Sequence, residues 1–192
     1  EHLDQERIEL FAMANDTICE GSLRLAEGNL NQHIPMGTTA VAALARGASV
    51  HIASLGDSRI YLAGTNGVAL VTGDQNLRGE WLRSWQGDKP ITLSGEGQAL
   101  VGYLGHFNVD AKPEPLTPVL RRLRMLPDET LILCSDGLND YAAESHAEMG
   151  QLIIDALQHD DLGAGARTLV EHANAGGGGD NVTVLLGRLH GG

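Results

Sequence analysis

Three aspartates in this chain stand where a run of apolar residues begins or ends. Asp57 follows Val50–Leu55 in Gly56-Asp57-Ser58-Arg59, and Asp136 follows Thr130–Cys134 in Ser135-Asp136-Gly137-Leu138. Asp180 precedes Val182–Leu189 in Gly179-Asp180-Asn181-Val182-Thr183. Short apolar runs bounded by glycine and aspartate read as strands and turns. The pattern therefore asks for sheets with carboxylates gathered at strand ends. Asp136 marks a strand exit and Asp180 a strand entrance, so antiparallel pairing of those two strands would set both on one sheet edge. Asp140 lies four residues past Asp136, and a helical turn opening at Leu138 would face both carboxylates the same way. Each string alone has an ordinary explanation: Asp-Gly is a common turn, and Asp-Asn before a strand is often a cap. Together they point to hard divalent cations, because clustered carboxylates raise one another's pKa unless a cation neutralises them. Oxygen ligands with no cysteine or histidine nearby favour Mg²⁺ or Mn²⁺ over zinc.

The rest of the chain supplies the scaffold. Ile8, Phe11, Ala12, Asn15, Ile18 and Cys19 recur at three- and four-residue spacing, which predicts a helix over Glu6–Leu25. Residues 28–35 break it. Thr39–Ala45 and Val50–Leu55 form a hairpin through Arg46-Gly47-Ala48-Ser49. Arg59–Ala63 and Val68–Thr72 follow after further tight turns, so 39–72 reads as an antiparallel meander. Residues 73–118 are irregular, with a short helix at Leu77–Trp85. Val119–Met125 and Thr130–Cys134 are strands about the turn 126–129, Ala147–Leu157 and Gly165–Ala173 are helices, and 176–179 is a glycine loop. Strands early and helices late, without regular alternation, make this α+β rather than a doubly wound parallel sheet.

A length of 192 residues suits one domain with a substantial core. The net charge of −12 argues against nucleic acid or an anionic membrane as the main partner. No apolar run approaches membrane-spanning length. Cys19 and Cys134 have neither metal-ligand nor redox spacing, and Cys134 reads as a buried thiol, so a reducing cytoplasmic setting is the default. The chain starts at Glu1 without methionine, which suggests a fragment or a processed product.

In this order, the strings resemble the metal-dependent type-2C serine/threonine protein phosphatases, the PPM family, from about residue 8 to residue 189. Ala14-Asn15 resembles the family's second helix, and Met36-Gly37-Thr38-Thr39-Ala40-Val41 its Gly-(Thr/Ser)-Thr-Ala strand. Leu55-Gly56-Asp57-Ser58-Arg59-Ile60-Tyr61 is close to Val-Gly-Asp-Ser-Arg-x-Tyr, and Asp74-Gln75-Asn76 stands where the family has Asp-His-Ser or Asp-His-Asn. The strings around Asp136, Asp140 and Asp180 are near consensus. The resemblance implies a four-layer αββα sandwich of two antiparallel sheets flanked by helices. It implies two bridged Mg²⁺ or Mn²⁺ ions, with a metal-activated water attacking phosphorus in line. By motif position Asp136 and Asp180 would ligate the core pair, and Asp57 and Asp140, with Asp136, a third and weaker site. Thr39, Arg59, Gly137 and Asn181 would support the loops that hold them. The implied partner is a phosphorylated protein, a serine/threonine kinase or its target.

The departures from the pattern lie at the N-terminus and in the flap. The family's first-strand Arg and Glu/Asp, and its Asp-Gly-x-Gly-Gly motif, have no counterpart after Glu1. The phosphate-binding arginine would thus lie upstream, and residues 1–192 read as one N-terminally truncated phosphatase domain with a variable flap at 73–118. Trp81 and Trp85 read as packing that flap onto the domain, with docking of a partner peptide as the alternative. Two main functions fit: a protein serine/threonine phosphatase, or a catalytically degenerate phosphatase-like module that binds or regulates. A third, a regulator of a sigma-factor cascade, rests on related domains that dephosphorylate anti-anti-sigma proteins.

Overall fold

The four-residue recurrence near the N-terminus becomes one helix, α1 (His2–Leu25), in a computed structural model that describes residues 2–27, 35–84, 95–108, 110–158 and 161–189. Arg7, Phe11, Asn15, Cys19 and Ser22 form its buried face, at the spacing of a helix with one side on a core. The expected chain break at 28–35 lies, except for Pro35, outside the described residues.

The chain divides into two compact units. The first comprises Glu1–Ala42, Ile52–Asp57 and Asp74–Leu120. Its core joins Phe11 of α1 to Ala53, Leu55 and Leu104, with Ala14, Ile18, Leu116 and Leu120 packed around them. Asn15 is 2% exposed. Its amide donates to the Glu114 carbonyl at 3.1 Å, and its oxygen accepts from the Gly105 N–H at 2.7 Å. A buried amide thus fastens the 105–114 segment to the helix. The short helix expected in the flap is α2 (Leu77–Ser84), and it buries no residue. Trp81 is 46% exposed, so this tryptophan is only partly covered. Every side chain of the eight-residue α2 stays at the surface. Trp85 lies outside the described residues.

Strands β1 (Ala40–Arg46), β2 (Ser49–Leu55) and β5 (Val119–Arg124) form a three-stranded sheet in the order β1-β2-β5. Gly47, at φ +58°, makes the β1–β2 turn as the sequence indicates.

The second unit comprises Ala43–His51, Ser58–Gly73 and Arg121–Gly192. It holds β3 (Arg59–Gly64), β4 (Gly67–Leu70), β6 (Thr130–Cys134) and β7 (Val184–Arg188), in the order β4-β3-β6-β7 and antiparallel throughout. Helices α3 (Asp136–Ala142), α4 (His146–Ala156) and α5 (Leu162–Ala175) complete the unit. Tyr61 and Ala63 of β3 and Ile132 and Cys134 of β6 meet Leu138, Met149, Ile153, Ala156, Leu169 and Ala173 in one core. Alternate residues of β3 and β6 point at the helices, as the period of a strand requires.

The α+β class with two antiparallel sheets is thus observed. The continuous meander is not, because β2 and β3 belong to different sheets. Gly56 lies in the turn where the chain passes from one sheet to the other. Its N–H donates to the Gln75 side chain at 2.9 Å and its carbonyl accepts from the Gln75 N–H at 2.9 Å. Both backbone groups of Gly56 are thus committed to residue 75.

Candidate metal centre

Cys134 pairs with Val184 in the β6–β7 ladder, so the residues just past β6 lie beside those just before β7. Ser135 locks this junction. Its N–H donates to the Thr183 carbonyl at 3.1 Å. Its hydroxyl donates to the Asn181 carbonyl at 3.1 Å and accepts from the Thr183 N–H at 3.0 Å. Ser135 precedes α3 as its N-cap, yet its side chain makes no capping bond. The oxygen that would cap the helix holds the Asp180 loop instead. Gly137 shows how close the approach is: a Cβ there would run into the Asn181 carbonyl.

Asp136 and Asp180 therefore flank one junction, as the exit-and-entrance argument anticipates. Each carboxylate accepts from the N–H of the following residue, Gly137 at 2.9 Å and Asn181 at 2.7 Å. These bonds fix each side chain against its own turn. Helix α3 opens at Asp136 itself, two residues earlier than the sequence suggests. Asp140 is then one turn along the same helix.

A hydrogen-bonded relay supports α3 from the sheet. An Arg59 guanidinium nitrogen donates to the Tyr61 hydroxyl at 3.4 Å, which donates to Asn139 Oδ1 at 2.6 Å. Asn139 Nδ2 in turn reaches the Ser135 carbonyl at 3.4 Å. Cys134 is 3% exposed and donates to the Arg59 carbonyl at 3.7 Å. Burial, with Asp136 adding to it, pushes its thiol up to about 11.

Asp57 closes the Ile52–Asp57 segment of the first unit. The preceding Gly56 has φ +99°, where a side chain is strained, and a Cβ there would strike the Thr39 side chain. Thr39 thus packs on the turn that carries Asp57, and Gln75 holds the same turn through both of its ends. Gln75 Nε2 also donates to the Thr117 carbonyl at 3.0 Å. Sequence reasoning misses Ser135 and Gln75 as positioning residues. Their signal was present, since each sits inside a quoted motif.

The donor chemistry fits a hard cation in part. Asp136 and Asp180 stand on the two sides of one braced junction, and burial raises the pKa of the nearby Cys134 thiol. Among the described residues, however, no group of three or more His, Cys, Asp or Glu stands ready to hold a metal ion.

Comparison with known proteins finds serine/threonine phosphatases. The Protein phosphatase 2C family profile matches residues 4–78. Serine/threonine phosphatase stp of Listeria welshimeri is 36% identical over 152 residues, covering 79% of this chain and 56% of the relative. PstP of Mycobacterium tuberculosis is 29% identical over 153 residues, covering 79% of this chain and 27% of the relative. The chain thus spans little more than half the length of the Listeria relative. Among solved structures, phosphatase Stp1 from Staphylococcus aureus superposes with a TM-score of 0.77 at 25% identity, over 98% of this chain and 68% of that one. The catalytic domain of PstP in complex with two manganese ions gives 0.67 at 26%, over 90% and 65%. With its motifs in family order and its fold shared over nearly its whole length, the chain is similar to the protein phosphatase 2C family.

Proposed function

We propose that this chain carries the metal-binding edge of a protein serine/threonine phosphatase that hydrolyses phosphoserine and phosphothreonine with Mn²⁺ or Mg²⁺. The observation that carries the reading is the Ser135 clamp, which sets Asp136 and Asp180 at one junction. Asp136 and Asp180 would hold the core cations, and Asp57 and Asp140, with Asp136, a weaker one. When bound, such a cation supplies Lewis-acid activation of water and stabilises charge on the phosphoryl oxygens. The chain's own residues do the positioning. Ser135 and Gly137 fix the approach of Asp180, and Arg59, Tyr61 and Asn139 brace α3. Thr39 and Gln75 shape the turn before Asp57. The substrate is a phosphorylated protein, with a serine/threonine kinase or its target as the partner and the cytoplasm as the setting. None of the described helices is long and apolar enough to cross a membrane.

A second reading rests on the incomplete ligand set among the described residues: a phosphatase-like module that binds a phosphoprotein without turnover. Mn²⁺-dependent hydrolysis of a phosphothreonine peptide decides between them. Turnover that stops with chelator and with Asp136→Asn supports the enzyme. Peptide binding without metal uptake or hydrolysis supports the module.

A further inference from the structure

Strand β5 reads Val119-Leu120-Arg121-Arg122-Leu123-Arg124 and stands at one end of the β1-β2-β5 sheet. Three arginines in six residues are a strong local excess in a chain with 13 Lys and Arg and a net charge of −12. Arg122 and Arg124 are two residues apart, so they share a face of the strand, about 7 Å apart along it. Both are exposed, and neither has a hydrogen bond or ion pair among the described residues. They border an open cleft of about 460 Å³ with Leu123 and with Ala48 and Ser49 of the β1–β2 turn. The Met125 N–H donates to the Ala48 carbonyl at 2.9 Å and fixes the strand end to that turn. Arg46, also exposed, lies two residues before Ala48. The nearest acids in sequence, Asp128 and Glu129, follow in the next turn, where Glu129 is occupied by the Leu126 N–H at 2.7 Å.

Charged residues on edge strands commonly block unwanted strand pairing, and one arginine would serve that end. Two uncompensated guanidinium groups in strand register beside a cleft do more. We propose that Arg122 and Arg124 form a docking strip for an extended acidic segment of a protein partner, with glutamate or aspartate at alternate positions. Extended peptides repeat their side chains with the same period of two, so alternate carboxylates meet the arginines in register. The guanidinium fork suits carboxylates. The strip does not depend on hydrolysis and stands apart from the phosphatase reading.

The test is fluorescence anisotropy with the whole 192-residue chain and a labelled Ser/Glu-alternating peptide, with its Ser/Lys counterpart as control. The strip predicts salt-sensitive binding of the acidic peptide alone. The double variant Arg122→Glu/Arg124→Glu should weaken it about tenfold, in line with two partly exposed ion pairs. The same variant should gain affinity for the lysine peptide, a reversal that an unfolded variant would not show. Equal binding of both peptides to the parent chain would overturn the proposal. So would an unchanged acidic-peptide affinity in the double variant, or equal capture of an oligonucleotide of the same charge.

Discussion

Gly137 sets local propensity against packing. Within a helix, Gly→Ala gains about 1 kcal/mol from propensity alone. In α3 the added methyl would meet the Asn181 carbonyl, and the backbone there cannot give way without loosening the Ser135 clamp. Gly137→Ala should therefore destabilise the protein, and a lower urea midpoint is the expected result. Ser135→Ala removes a hydroxyl that both donates and accepts, leaving the Thr183 N–H without it. A loss of about 1–3 kcal/mol follows from an unmet polar group of this kind, measured by the same denaturation. Cys134 gives a pH signature. Its thiol titrates near 9.0 when unfolded and near 11 in the fold, chiefly because burial penalises the thiolate. Between those values the unfolded chain holds fewer protons, so stability falls as pH rises through the window. Urea midpoints at pH 8, 9 and 10 should show this slope, and Cys134→Ala should flatten it.

At the scale of elements, the turn between β2 and β3 shows what periodicity leaves out. Apolar runs and turn residues mark both strands to within a residue, since those signals are local. Bonds between Gly56 and Gln75, nineteen residues apart, hold the turn where the chain passes from one sheet to the other. Gln75→Ala should free the Gly56 N–H and lower stability by about 1–3 kcal/mol, and amide exchange at Gly56 should rise with it. The β6–β7 edge was legible in advance because it needed only two strands and antiparallel pairing. The serine that binds that edge was not, since Ser135 before a helix reads first as a cap. Trp81 is only partly covered. Large apolar residues pack on average, but α2 stands at the surface along its whole length.

For the whole molecule, metal linkage gives the broadest test. A cation that binds only the folded state stabilises it by about 2.7 kcal/mol at a hundred times its dissociation constant. Mn²⁺ should thus raise the melting temperature, EDTA should reverse the rise, and Asp136→Asn should abolish it without lowering the metal-free value greatly. A chain that melts identically with and without Mn²⁺ would leave the binding-module reading as the better one. The sequence by itself determined the α+β class, most strands and helices and the resemblance to the phosphatases, because these rest on local periodicity and on short strings whose order is specific. Only the tertiary structure decided that two sheets divide the strands, that Ser135 and Gln75 hold the aspartate turns, and that two arginines of β5 stand beside a cleft without a partner among the described residues. Such facts depend on partners far apart in the chain, and a linear string does not record which distant backbone group a side chain will meet.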